Sequence, residues 1–319
     1  MTAEKTAANA LFHLGLHKTG TTSFQYGLFG AREQLRACGV VYPAPPSGAF
    51  REQHAEIAAM LKLRRVDDVR AYFRGLVDTA GAGARLFLFS SEEFSNLGLV
   101  KGALPAFKQA VEECFAESRY VLVLRNTLEL TLSMLRQKID AGMLTPSRAA
   151  SKTVILNDML LFPRKVRLLL GGLAPVTVID YEEARASGDL NNFLARKCLG
   201  SSAPVLENLK LNVGRERDEG MVGLLSSPLR SMIAALRGAN PYTADVNAKL
   251  AELVDERKLA ESLSSAKVAR VAQLFDARLR EIATAVYSAN SQRLLDEASG
   301  LPASSARILF PELAGGQLA

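Results

Sequence analysis

Between Leu11 and Gln25 the chain reads LFHLGLHKTGTTSFQ, and this stretch constrains the fold more than any other. An apolar segment (Leu11, Phe12, Leu14) runs into Gly15. Gly20-Thr21-Thr22 then opens a segment in which Phe24, Leu28, Leu35 and Cys38 recur at helical spacing. Gly39 stands where a helix C-terminus favours a left-handed residue. The expectation is a strand, a tight loop and one helix that ends before Gly39. Such a loop turns successive backbone N–H groups toward one point, and the helix behind it directs its positive dipole end at the same point. Together they bind phosphate or sulfate oxygens without a metal ion. Lys18 and the hydroxyls of Thr19, Thr21 and Thr22 add a cation and further donors.

Counted from Gly15, Gly20 fits the phosphate-loop pattern G-x-x-x-x-G-K-[ST], but Thr21 stands where the lysine belongs. The lysine has moved into the loop as Lys18, where it would reach a bridging oxygen rather than lie along a β/γ-phosphate pair. Further on, Tyr120 to Leu124 is a short apolar run of strand type. It is followed by Arg125-Asn126-Thr127 and, eight positions after Arg125, by Ser133. Asn126 and Glu129 form a plausible capping pair for the helix between them.

These two stretches, K-T-G-T-T after one strand and Arg…Ser after another, resemble the sulfotransferases that use 3′-phosphoadenosine 5′-phosphosulfate (PAPS). The resemblance implies an α/β, P-loop-like three-layer fold. It implies that Gly15, Lys18, Thr19, Gly20, Thr21 and Thr22 hold the 5′-phosphosulfate, that Arg125 and Ser133 hold the 3′-phosphate, and that no metal takes part. Thr127 departs from the family's usual proline, which presets the first helical turn. The likeness lies mainly in residues 11–25 and 120–137 and bears on the donor more than on the acceptor, which would be a hydroxyl or amine of a carbohydrate or small metabolite.

With 48% hydrophobic residues in 319, the chain has material for a large core. A net charge of +6 favours anionic partners. The absence of a long Lys/Arg block and an aromatic content of 7% make nucleic acid the weaker account. Cys38, Cys114 and Cys198 lack metal spacing and read as reduced thiols. The first ten residues lack the apolar core of a signal peptide, and no apolar run approaches the ~18 residues of a membrane span. The expectation is a cytoplasmic protein with a loose N-terminus (1–10) and a single domain over 11–319. Within that domain, 11–200 form the nucleotide-binding core and 201–319 a mainly helical part.

Five strand candidates start near Leu11, Val40, Leu86, Tyr120 and Val176, alternate with helices, and predict a parallel, doubly wound sheet. The helices include Glu52–Leu63, Asp67–Thr79, Ala103–Glu117 and a stretch from Thr153 to Leu170 broken near Pro163. The strand Arg85–Phe89 ends in Ser90-Ser91-Glu92-Glu93. Open α/β sheets place their chemistry at such strand ends. An acceptor that attacks sulfur must lose a proton, so Glu92 is the first candidate base, followed by Glu93 and His54. Glu92 could equally cap the next helix or pair with a cation, and His54 could be a core residue. If Glu92 or Glu93 held Mg²⁺, the chain would instead be a P-loop kinase using ATP. A third class keeps the fold without catalysis. Gln137 echoes a position beside the family's acceptor channel, and Arg215 or Arg217 could close over the adenosine.

Overall fold

A computed structural model of the chain describes residues 8–48, 52–81, 83–140, 143–144, 149–201, 203–207 and 265–313. In chain order its elements are β1 (Asn9–His13), α1 (Thr21–Gly30), α2 (Arg32–Ala37), β2 (Val40–Val41), α3 (Ala55–Lys62), α4 (Val66–Thr79) and β3 (Leu86–Ser90). A 3-10 helix (Glu92–Leu99) leads to α5 (Ala103–Cys114), β4 (Ser118–Leu124), α6 (Thr127–Asp140), α7 (Lys152–Gly172) and β5 (Val176–Asp180). Then come α8 (Tyr181–Ala186), α9 (Leu190–Leu199), α10 (Ser265–Ala289), α11 (Ser291–Ala298) and α12 (Ala303–Leu309).

The chain divides into two compact units. The first comprises Met1–Asn126, Pro163–Leu211 and Ala298–Ala319; the second comprises Thr127–Phe162 and Asn212–Glu297. All five strands belong to the first unit and form one parallel sheet in the order β2-β3-β1-β4-β5. The α/β class and the five-stranded parallel sheet expected from the sequence are thus observed. Side chains alternate between the two faces of a strand. Leu11, Leu88, Val121 and Val123 therefore join Phe24, Leu28, Leu35 and Leu194 in an aliphatic core under α1, α2 and α9. Phe12 points to the other face, where it stacks on Phe89 at 4.8 Å and meets Phe107 of α5 edge-on at 4.9 Å. Phe73 of α4 packs on the same group. One face is mainly aliphatic, the other mainly aromatic.

β1 lies at the centre. The chain leaves it for β2 on one side, and the β3-to-β4 connection crosses to the other side. That reversal puts the carboxyl end of β1 at the switch point where open sheets bind ligands.

Three local expectations need correction. The helix after the loop is two helices: α1 stops at Gly30, Ala31 has φ −94° and ψ 16°, and α2 restarts at Arg32. Gly27 and Gly30 lower helix propensity just before the break. Phe24, Leu28 and Leu35 are buried as the stripe predicts, but Cys38 lies past the second helix and is exposed. In addition, α7 runs straight through Pro163. A proline there removes the amide that would bond the carbonyl of Met159. Finally, β1 begins at Asn9, two residues before Leu11.

In the second unit, α6 is tied to α10 by Arg280 on Glu129 (2.5 Å) and Arg136 on Asp276 (2.7 Å). Lys138 binds Asp158 of α7 at 2.7 Å. Among the described residues no helix is long and apolar enough to cross a membrane.

Candidate functional site

The loop after β1 is held first by the sheet. Leu14 N donates to Val121 O (2.8 Å), Val123 N to Gly15 O (2.7 Å) and Leu16 N to Val123 O (3.1 Å), so β1's pairing with β4 extends past its end. Gly15 has φ +85°, and a Cβ there would stand 2.8 Å from the Glu92 Cα. Only glycine lets the Glu92 backbone come this close. Beyond Leu16 the loop leaves the ladder. Lys18 takes φ 62° and Gly20 φ 75°, both left-handed. Alternation of left-handed residues with ordinary ones curls peptide N–H groups into an anion-binding concavity.

The loop is braced from inside and outside. The buried Thr19 hydroxyl folds back and donates to Leu16 O at 2.7 Å. Its side chain therefore builds the loop, and only its backbone is left for a ligand. Arg125 NH1 donates to Lys18 O at 3.1 Å. Its guanidinium lies 4.8 Å from the Tyr181 ring centroid, with Nε 3.4 Å from Glu182 Oε1. Gly20 is the N-cap residue of α1 and offers no side chain to cap it, and the helix's first turn carries no acid. The opening amides of α1, including those of Thr21 and Thr22, thus have no intrahelical acceptor. A Cβ on Gly20 would sit 2.2 Å from Leu190 Cδ2, so α9 closes over the loop. Asn191 fixes the next turn through Ser23 O (3.2 Å) and Oγ (3.1 Å).

Glu92 stands across from this helix end. It accepts from the Thr21 hydroxyl at 2.5 Å, and His17 Nδ1 lies 3.4 Å from its other oxygen. The Thr21 proton is therefore committed to Glu92. Burial pushes the Glu92 pKa up, but the hydrogen bonds from His17 and Thr21 and the charge on His17 outweigh it, and the carboxyl ends below its ordinary value. Glu92 does not cap the following helix; Ser91 does, through its Oγ and Glu93 N. Glu93 is bound by Lys62 at 2.5 Å and Asn96 at 3.1 Å, and it faces His17 Nε2 at 3.6 Å. Burial again raises its pKa, and Lys62 and Asn96 again bring it below the ordinary value.

His54 is elsewhere. It is fully buried, its Nδ1 accepts from Ser90 N (3.1 Å), and its Nε2 contacts Pro43 O (3.1 Å). That pattern fixes the neutral tautomer with the proton on Nε2. Burial pulls its pKa down to about 4. With both nitrogens engaged in the core, it has no face for an acceptor. His13, also buried and lowered to about 4, contacts Ser90 Oγ at 2.8 Å.

The structure thus brings Gly15, Lys18, Thr19, Gly20, Thr21, Thr22, Glu92 and Arg125 together in the first unit. Ser133 is half-buried and Gln137 exposed on α6, in the second unit. Arg215 and Arg217 lie outside the described residues. The sequence reading missed His17, which links both candidate bases; Tyr181 and Glu182, whose place after the fifth strand reads as structural, hold Arg125. His17 had one visible signal, its place inside the loop directly before Lys18. Among the described residues no group of three or more His, Cys, Asp or Glu side chains is arranged to hold a metal ion. Comparison with protein-family models, curated proteins and solved structures found no match to this chain.

Proposed function

We propose that the protein is a PAPS-dependent sulfotransferase that moves a sulfuryl group to a hydroxyl or amine of a carbohydrate or small metabolite. One observation carries this reading. Lys18 and Gly20 hold left-handed backbone between the end of β1 and an acid-free N-terminus of α1, and Arg125 ties the loop from behind. The amides of residues 18 to 22 fit a tetrahedral oxyanion group, and the Lys18 side chain brings a cation to the same loop.

In this reading the donor supplies a sulfuryl group already activated for transfer. Lys18 meets the charge that gathers on the bridging oxygen as the S–O bond breaks, which lowers the barrier electrostatically. Glu92, ionised at neutral pH, takes the acceptor's proton as the new bond to sulfur forms. To do so it exchanges the Thr21 hydroxyl for the incoming group. Arg125, in the first unit, is assigned to the 3′-phosphate.

A second reading has an observation of its own. An acid at the end of the neighbouring strand, Glu92, reaches the phosphate-type loop, as the Mg²⁺-holding acid of P-loop enzymes does, although the hydroxyl it accepts from is Thr21, at the lysine position of that pattern. Thermal unfolding separates the two. 3′-Phosphoadenosine 5′-phosphate should raise the midpoint of the full chain, with no effect from AMP or from ATP with Mg²⁺. The shift should vanish in Arg125→Ala. Lys18→Ala should abolish sulfuryl transfer from PAPS in a protein that still folds, as circular dichroism would show. A shift with ATP and Mg²⁺ alone would overturn the sulfotransferase reading in favour of a kinase.

A further inference from the structure

We propose that a cavity at the free edge of the sheet is a second anion site, which takes a small molecule carrying a phosphate- or sulfate-type group on an apolar body. β2 is an edge strand, and beside it α2 and the end of α4 leave a cavity of about 280 Å³. Arg32 and Arg36 stand one turn apart on α2 and both line it. Against these two cations the lining holds one acid, Glu33. Tyr42, Phe87, Leu76 and Val41 make the apolar walls.

The cations are presented for a ligand rather than used by the fold. The Arg32 guanidinium carbon lies 4.5 Å from the Phe29 ring centroid and 6.0 Å from that of Tyr42. These contacts hold the guanidinium without occupying its in-plane donors. Its Nε is buried and has no hydrogen-bond partner. Buried donors in proteins are nearly always satisfied, so the orphaned Nε leaves the Arg32 guanidinium short of the acceptors that a wholly structural arginine has. Among the described residues neither Arg32 nor Arg36 has a carboxylate at salt-bridge distance. The neutral polar groups nearby are already committed: the Tyr42 hydroxyl donates to Glu52 O and the Thr79 hydroxyl to Gly75 O. Recognition therefore falls on the two guanidiniums, whose fork geometry suits a tetrahedral oxyanion.

This site is not the loop. Phe87 is in register with Ala10, near the start of β1, whereas the loop follows its end. Two strand spacings and five residues of rise separate them by about 19 Å. The proposal therefore stands whether or not the loop binds PAPS.

The test is calorimetric titration of the full chain with phenyl phosphate, beside phenol, in a Lys18→Ala background that weakens the loop. Phenyl phosphate should bind one site, and phenol should not. Arg32→Gln and Arg36→Gln should each weaken binding about tenfold or more. Arg32→Lys, which keeps the charge but lacks Nε–H, should also weaken it. Circular dichroism checks each fold, and Arg36→Gln, on an exposed side chain, keeps the test decisive if Arg32 variants do not fold. No binding in the Lys18→Ala background, equal binding of phenol, or binding indifferent to Arg36→Gln would each overturn the proposal.

Discussion

Gly15 gives a quantitative test of how the loop and the candidate base are coupled, because a matched control exists. Gly15 and Gly102 have nearly the same φ, +85° and +82°, yet a Cβ on Gly15 meets Glu92 Cα at 2.8 Å, whereas one on Gly102 meets nothing within 4 Å. Alanine at either position carries the left-handed strain of about 1–2 kcal/mol. The smaller unfolded-state entropy of alanine offsets part of this, about 0.4–1 kcal/mol, equally in both. Only Gly15→Ala must also push backbone aside, and neither wall yields easily. Gly15 O is bonded to Val123 N, and Ser91 N, beside Glu92, is bonded to His13 O at 3.1 Å. Such overpacking costs about 1–3 kcal/mol. Gly15→Ala should therefore be less stable than Gly102→Ala by that amount. Urea titration followed by amide exchange in β1 reads it, since β1 lies in the unit that holds both glycines. Equal losses in the two variants would refute the claim that the loop and Glu92 are locked together by close backbone approach.

Two further outcomes follow from titratable groups. His13 and His54 are lowered to about 4, so unfolding lets each take a proton below its ordinary value of 6.5. The two histidines should cost about 3 kcal/mol of stability each as pH drops from about 6.5 to about 4, and the lowered Glu92 and Glu93 carry the fall further below the ordinary carboxylate range; urea midpoints that stay flat between pH 6.5 and 4 in wild type would refute it. Glu92→Gln should bind 3′-phosphoadenosine 5′-phosphate roughly fivefold to tenfold more tightly, because a like charge at the loop mouth is gone. The same variant should lose sulfuryl transfer, and equal loss of binding and turnover would remove Glu92 from the role of base.

What the sequence disclosed and what it hid divide along physical lines. The strand–loop–helix around Gly15 and Gly20 was legible because glycine spacing and apolar periodicity are local properties. The break at Ala31 was not, since Phe24, Leu28 and Leu35 keep one stripe even when the helix is interrupted. Pro163 misled because a single lost hydrogen bond can be outweighed by burial of Ile155, Met159, Phe162 and Val166 along the same helix. Hydroxyls were the least legible of all. Thr19 and Thr21 both read as ligand donors, but one closes the loop on Leu16 O and the other engages Glu92. Which partner a hydroxyl chooses depends on atoms far off in sequence. The same holds for His17, whose partners lie more than seventy positions away.

Placing a carboxylate beside an anion cradle needs a physical reason, and the ion pairs supply one. Glu93 is neutralised by Lys62 and Glu182 lies against Arg125, so of these acids and Glu92, among the described residues, two already face cations. Glu92 differs: Thr21 and His17 hold it, and His17 is a cation only when protonated. Those contacts keep Glu92 ionised. A dianionic group settling on the loop would draw the helix-end amides and Lys18 to itself. It would also raise the Glu92 pKa through like-charge repulsion. A stronger base is then available when a donor is in place, and a weaker one when the loop is empty. The close approach at Gly15 is what holds the carboxylate near enough for this coupling to act.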